Sequence, residues 1–210
     1  MTAFIFDFDG TLVNSETAIN QCFIEITKQL TPDRIEIAKN ILIGPPLRET
    51  AAEILGLDHQ DKLNQFVDLF IKLHDDEIVL HTQAFETVHE TLSKLHELNI
   101  MMAIATNKRK APTIKLIEHL NWNHYFQAIE CSDSDNKTRN KDEMIQAILK
   151  KHSAFNSSFF VGDTVNDGLS ANINQLNFIK ANYGYGQNQD WSKVNTYQEI
   201  HQFAEILKLI

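Results

Sequence analysis

The sequence predicts an α/β fold, a parallel sheet core with helices on both faces and a small α-helical cap inserted after the first strand. Three observations predict it. Short apolar runs without polar alternation recur around 3–8, 100–105, 158–161 and 178–181, as strands buried on both faces do. Helical patterns separate most of these runs, as in βαβ units. Residues 16–80 interrupt that order with helices and no strand.

The elements follow in chain order. Ala3 to Phe8 reads as the first strand and ends in a Gly10-Thr11 turn. From Glu16 to about Leu30, Ile19, Cys22, Phe23 and Ile26 share one helical face. Pro32 suits the first turn of a further helix, expected over Ile35 to Ile43 and ended by Gly44-Pro45-Pro46. Leu47 to Leu55 is another, closed by Gly56, and Asp61 to Val79 a longer one. A helix over Thr87 to Asn99 precedes the second strand, which ends at Thr106. Helices are expected at Pro112 to Leu120, Lys141 to His152 and Gly168 to Ile173, with strands at Phe126 to Ile129, Ser158 to Val161 and Phe178 to Ala181. Tyr197 to Leu207 reads as a closing helix. The core thus comprises 1–15 and 81–210, and the cap 16–80.

Composition narrows the function classes. Net charge is -9, with 43% hydrophobic and 22% charged residues, an ordinary balance for a globular chain. It argues against nucleic-acid or anionic-membrane surfaces, which need clustered positive charge. An anionic small molecule bound in a local basic pocket remains compatible. Cys22 and Cys131 have no metal-type or redox spacing and are expected as free thiols. The first apolar run begins near Met1 without a basic leader, and no run reaches membrane-span length, so a cytoplasmic protein is expected.

Polar residues gather just past the strand ends. Asp7 and Asp9 follow the first strand, Thr106 and Asn107 the second, Asp163 and Asp167 the fourth. In an open, Rossmann-like sheet, ligands bind outside the carboxyl ends of the strands, so these residues share one crevice. Four carboxylates at one place repel one another unless a cation joins them. Without His or Cys beside them, they predict Mg2+ rather than zinc. The Thr106 hydroxyl and Asn107 amide are donors for phosphate oxygens. Positive charge is expected from Lys141, with Lys137 its rival in the same loop. Asn140 and Glu143 form a capping-box pattern that puts Lys141 at the first helical position, where the helix dipole disfavours a cation. Arg48 in the cap is a possible substrate contact, equally readable as an exposed helix arginine. Lys108-Arg109-Lys110 reads more readily as a solvated loop than as a binding patch, though it could raise the local potential near the substrate, and the nine histidines read as surface or packing residues.

This combination closely resembles the haloacid dehalogenase-like (HAD) phosphohydrolase superfamily. The motifs stand in order: Asp7-Phe8-Asp9-Gly10-Thr11, Thr106 after a strand, Lys141, and Gly162-Asp163-Thr164-Val165-Asn166-Asp167. Gly44-Pro45-Pro46-Leu47 and Tyr183-Gly184-Tyr185-Gly186 resemble its phosphoglycolate phosphatase-like group. The chain departs from the family pattern at Asn14, where many relatives have Asp, and at Asp142, where a Pro commonly follows the lysine. The resemblance implies a magnesium-dependent phosphatase acting on a small phosphorylated metabolite such as phosphoglycolate, a sugar phosphate or a nucleotide. It implies that Asp7 attacks phosphorus to form an aspartyl-phosphate and that Asp9 serves as acid and base. Thr106 and Lys141 would hold the phosphoryl oxygens. Asp7, the Asp9 backbone carbonyl and Asp163 would ligate the metal, with Asp167 in or beside the shell. A phosphomutase of the same fold is the alternative, and a non-catalytic binding protein a more distant one.

Overall fold

Strand β1, Ala3–Phe6, is completely enclosed, and its side chains divide by parity between two cores. Phe4 and Phe6 face one layer with Leu92, Leu95 and Phe203. Ala3 and Ile5 face the other with Met144, Ile145 and Phe178. A strand with no polar position is what two-sided burial requires. The computed structural model describes residues 2–134 and 138–210, the side chains of 76–78 excepted; Lys137 lies outside the described residues.

Around β1 stand β4 (Met101–Thr106), β5 (Ala128–Cys131), β6 (Phe159–Gly162), β7 (Asn177–Ala181) and β8 (Thr196–Ile200). The sheet order is β5-β4-β1-β6-β7-β8, every pairing parallel. Helices α5 (Val88–Glu97), α6 (Lys110–His119), α7 (Lys141–Lys151) and α8 (Val165–Ile173) accompany the strands. The chain leaves β1 toward β4 on one side and returns at β6 on the other. The crevice between these neighbours opens at their carboxyl ends.

Between β1 and α5 lie α1 (Glu16–Leu30), α2 (Ile35–Lys39), α3 (Leu47–Leu55) and α4 (Leu63–His81). They enclose a third core of their own, with Phe23, Ile26, Ile54, Leu55 and Phe66 at its centre. Two short strands, β2 (Val13–Asn14) and β3 (Gln83–Ala84), pair antiparallel where the chain enters and leaves this block. The sequence reading contains no counterpart to them, since two residues are too few to carry a pattern.

Three expectations miss by more than two residues. The closing helix expected over Tyr197 to Leu207 is divided: Thr196–Ile200 is the sixth strand, and Phe203–Leu209 is a 3-10 helix. Burial along 196–200 alternates, a period of two that pairing with β7 exploits. The helix expected from Gly168 begins at Val165, because Thr164 caps it and Asp167 completes a capping box. The helix expected to reach Ile43 stops at Lys39, and Ile41 and Ile43 are buried from a loop instead.

Candidate active site

The turn after β1 is built by its own backbone. Leu12 and Val13 both donate N–H to the Phe8 carbonyl, and Gly10 donates to Val13. Gly10 has φ +83°, and a side chain there would collide with the Asp163 carboxylate. The turn leaves Asp7 almost fully buried and Asp9 slightly exposed.

Asp163, beyond β6, is held on both oxygens: Thr11 Oγ1 donates to Oδ1 at 3.0 Å and the Tyr185 backbone N–H to Oδ2 at 2.7 Å. Asp167, one turn into α8, accepts on Oδ2 from the Thr164 N–H at 2.9 Å and hydroxyl at 2.6 Å. Its Oδ1 is buried, 2.9 Å from Lys141 Nζ but without a hydrogen-bonding angle. Lys141 opens α7, whose Asn140–Glu143 capping box is present. Its ammonium donates to Asp7 Oδ1 at 2.7 Å and to the Ala105 carbonyl at 3.1 Å. The four motifs therefore converge, with Thr106 lining the same cleft as Asp7.

Three buried carboxylates share one ammonium, which among them contacts only Asp7 and Asp167. Burial pushes the Asp7 pKa from 3.8 up to about 7; Lys141 pulls it down and Asp167 pushes it further up. Burial, with Asp167 and Asp7 nearby, lifts Asp163 well above the usual carboxylate range. For Lys141, burial opposes the charge, but Asp167 and Asp7 outweigh it and hold the ammonium protonated. Asp7, Asp163 and Asp167 each offer one oxygen within 4.8 Å of the others. This surplus of negative charge, with an Asp167 oxygen left without a hydrogen bond, fits a hard divalent cation with oxygen preference such as Mg2+.

Asp9 lies apart from this cluster. Ser15 Oγ donates to its Oδ1 at 2.5 Å, and Lys108 Nζ lies 3.1 Å from the same atom. Lys108 is thus a buried partner of Asp9, and the solvated-loop reading of Lys108 is corrected: the segment turns back over the β1 turn. Nζ also lies 3.5 Å from His74 Nε2 of α4. His74 is buried and stacked on Phe70, ring centroids 4.9 Å apart. Burial, then the charges of Lys108 and Arg109, lowers its pKa from 6.5 to about 2, so it is neutral. Arg109 is paired with Asp75 at 2.5 Å, again joining loop to α4. Lone basic residues in a polar loop give no sequence signal for such partners.

Asn107 lines the cleft, but its Nδ2 donates to the Gly44 carbonyl at 2.9 Å, tying the helical block to the sheet. Arg48 is exposed on α3 and does not line the cleft over Asp7. Asn14 accepts from the Glu16 N–H at 3.2 Å. Cys22 and Cys131 form no disulfide. Among the described residues no helix is long and apolar enough to cross a membrane.

Known proteins resemble this chain over most of its length. The family model for haloacid dehalogenase-like hydrolases matches residues 4–181. A phosphoglycolate phosphatase of Photobacterium profundum is 26% identical, over 98% of this chain and 93% of its own length. A pyrophosphatase of Listeria monocytogenes is 26% identical, over 80% of this chain and 76% of its own. A haloacid dehalogenase-like protein from Streptococcus pneumoniae superposes with a TM-score of 0.84 at 23% identity, covering 100% of this chain and 98% of that one.

Proposed function

Since this chain belongs to the haloacid dehalogenase-like hydrolase family, as one of its phosphatases, we propose that it hydrolyses a small phosphate monoester through an aspartyl-phosphate on Asp7, with Mg2+. The observation that carries this reading is the convergence of Asp7, Asp163, Asp167 and Lys141 at the sheet's carboxyl edge, with Asp9 held separately beside them.

The chemistry follows from the geometry. Lys141 holds Asp7 Oδ1, which leaves Oδ2 to attack phosphorus. A bond forms between Asp7 and phosphorus as the ester P–O bond breaks, and Asp9 delivers a proton to the departing oxygen. Asp9 then takes a proton from water; the water oxygen bonds to phosphorus, inorganic phosphate leaves, and the Asp7 carboxylate is regenerated. Ser15 and Lys108 fix the Asp9 carboxylate through Oδ1, so Oδ2 is the oxygen that exchanges protons. Thr106 and Lys141 hold the phosphoryl oxygens while charge moves from ester to leaving group. One Asn107 Nδ2 hydrogen is held by the Gly44 carbonyl, which seats the helical block, and the second is left to donate to a phosphoryl oxygen. Asp7, the Asp9 backbone carbonyl and Asp163 would hold the metal, with Asp167 beside them. Bound there, Mg2+ supplies positive charge that keeps Asp7 ionised and neutralises phosphate.

The test is phosphate release from a panel of phosphorylated metabolites, with magnesium and with chelator. Turnover with magnesium that chelation abolishes is expected. A panel converted to isomeric phosphates without free phosphate would support the mutase alternative instead. An inert panel, with the protein folded, would contradict both enzymatic readings.

A further inference from the structure

The wall that the helical block turns toward Asp7 is apolar. Ile19 and Phe23 of α1, Ile43, Leu47 of α3 and Phe70 of α4 line a cleft of about 550 Å³, its open mouth included. Phe23 and Phe70 stack with ring centroids 4.8 Å apart. Asp7, Asp9 and Thr106 form its polar floor. A phosphate on that floor places the ester's alcohol portion against the aliphatic and aromatic wall.

The polar side chains bordering this wall already hold partners, except that the buried Asn107 Oδ1 has none, and an acceptor oxygen there does not meet an anion. Lys108 is paired with Asp9 at 3.1 Å, and Asn107 donates to Gly44. Thr50 donates to the Pro46 carbonyl at 3.4 Å. His74 carries no charge and lies flat against Phe70. Lys141 faces Asp7 and Asp167, away from the apolar wall. Among the described lining residues the one cation is Lys108, and its charge is already matched by Asp9. A carboxylate or second phosphate on the leaving group would have to share Lys108 with Asp9 inside a largely apolar enclosure, which is costly.

We infer that the leaving group of the physiological ester is a small, uncharged and mainly apolar alcohol, rather than a carboxylate-bearing or phosphate-bearing one. The inference rests on the phosphatase reading and sharpens it. It sets this chain apart from the activities for which its phosphoglycolate phosphatase and pyrophosphatase relatives are named.

The experiment compares benzyl phosphate, 2-phosphoglycolate and inorganic pyrophosphate on the full chain with magnesium. The first two are alkyl esters, so their ratio reports the pocket more than leaving-group reactivity. kcat/KM for benzyl phosphate is expected to exceed that for either charged compound at least about tenfold. Leu47→Lys, at a half-buried wall position, is expected to move the benzyl-to-phosphoglycolate ratio about tenfold toward phosphoglycolate. Equal or better turnover of 2-phosphoglycolate or pyrophosphate by the unsubstituted chain would overturn this inference and leave the phosphatase reading standing. Turnover of none of the three, nor of any ester in a broader panel, would overturn both. A Leu47→Lys protein that fails to fold leaves the test intact, since the unsubstituted chain decides it alone.

Discussion

Lys141 is placed to serve stability and, on the proposed mechanism, chemistry as well. Its ammonium sits 2.7 Å from Asp7 and 2.9 Å from Asp167 with almost no exposure. Removing it strands two buried carboxylates, so Lys141→Ala should cost roughly 3 kcal/mol in the metal-free protein. It should also lower kcat about 10²- to 10³-fold in the presence of magnesium. Denaturant unfolding and steady-state kinetics measure the two effects, and an unchanged kcat would remove Lys141 from the phosphoryl clamp. The raised Asp7 pKa adds a prediction with a definite sign. The folded protein binds that proton more tightly than the unfolded chain, whose value is near 3.8. The associated stability is fully present below that value and lost as pH rises to about 7. In chelator, the melting temperature should therefore fall between about pH 4 and about pH 7, and Asp7→Asn should flatten the slope. A melting temperature that rises across this window in the unsubstituted chain, by more than in Asp7→Asn, would reverse the assignment.

At the scale of elements, helix starts place the chemistry. The α7 capping box fixes where Lys141 emerges, and the α8 box fixes Asp167. Asn140→Ala should cost about 1 kcal/mol, read as a lower denaturant midpoint at unchanged slope. The first box is visible in the sequence as Asn140 with Glu143. The second is equally visible as Thr164 with Asp167, yet Gly168 in the middle of α8 draws the expected start three residues too late. The strands around β1 are legible because burial on both faces leaves them continuously apolar. Strand β8 is not, since Tyr197, Gln198 and Glu199 suit an exposed helix locally, and only pairing with β7 selects the extended form. The partners of Asp9 were hidden for a similar reason: Lys108 is buried by a loop that folds back toward α4, and periodicity says nothing about such a loop.

For the whole molecule, the helical block and the sheet meet across a few polar bridges. Asn107 reaches Gly44, Arg109 reaches Asp75, and Lys115 donates to the Asp75 carbonyl at 2.6 Å. These contacts hold the apolar wall over Asp7. Asp75→Ala should raise KM several-fold while shifting stability by less than about 1 kcal/mol, as expected for a partly exposed ion pair. A KM within error of the unsubstituted value would show that the Arg109 bridge does not govern closure. The order of the motifs was readable from sequence because each follows a strand; the bridges were not, because they depend on how two separately cored layers dock.

The central claim is that Asp7 is the nucleophile, and Asp7→Asn tests it most directly. Phosphate release from a turned-over ester, measured with magnesium, should fall by roughly four orders of magnitude or more, while the variant still unfolds cooperatively near the unsubstituted melting temperature. A folded Asp7→Asn protein that releases phosphate at a comparable rate would contradict the account.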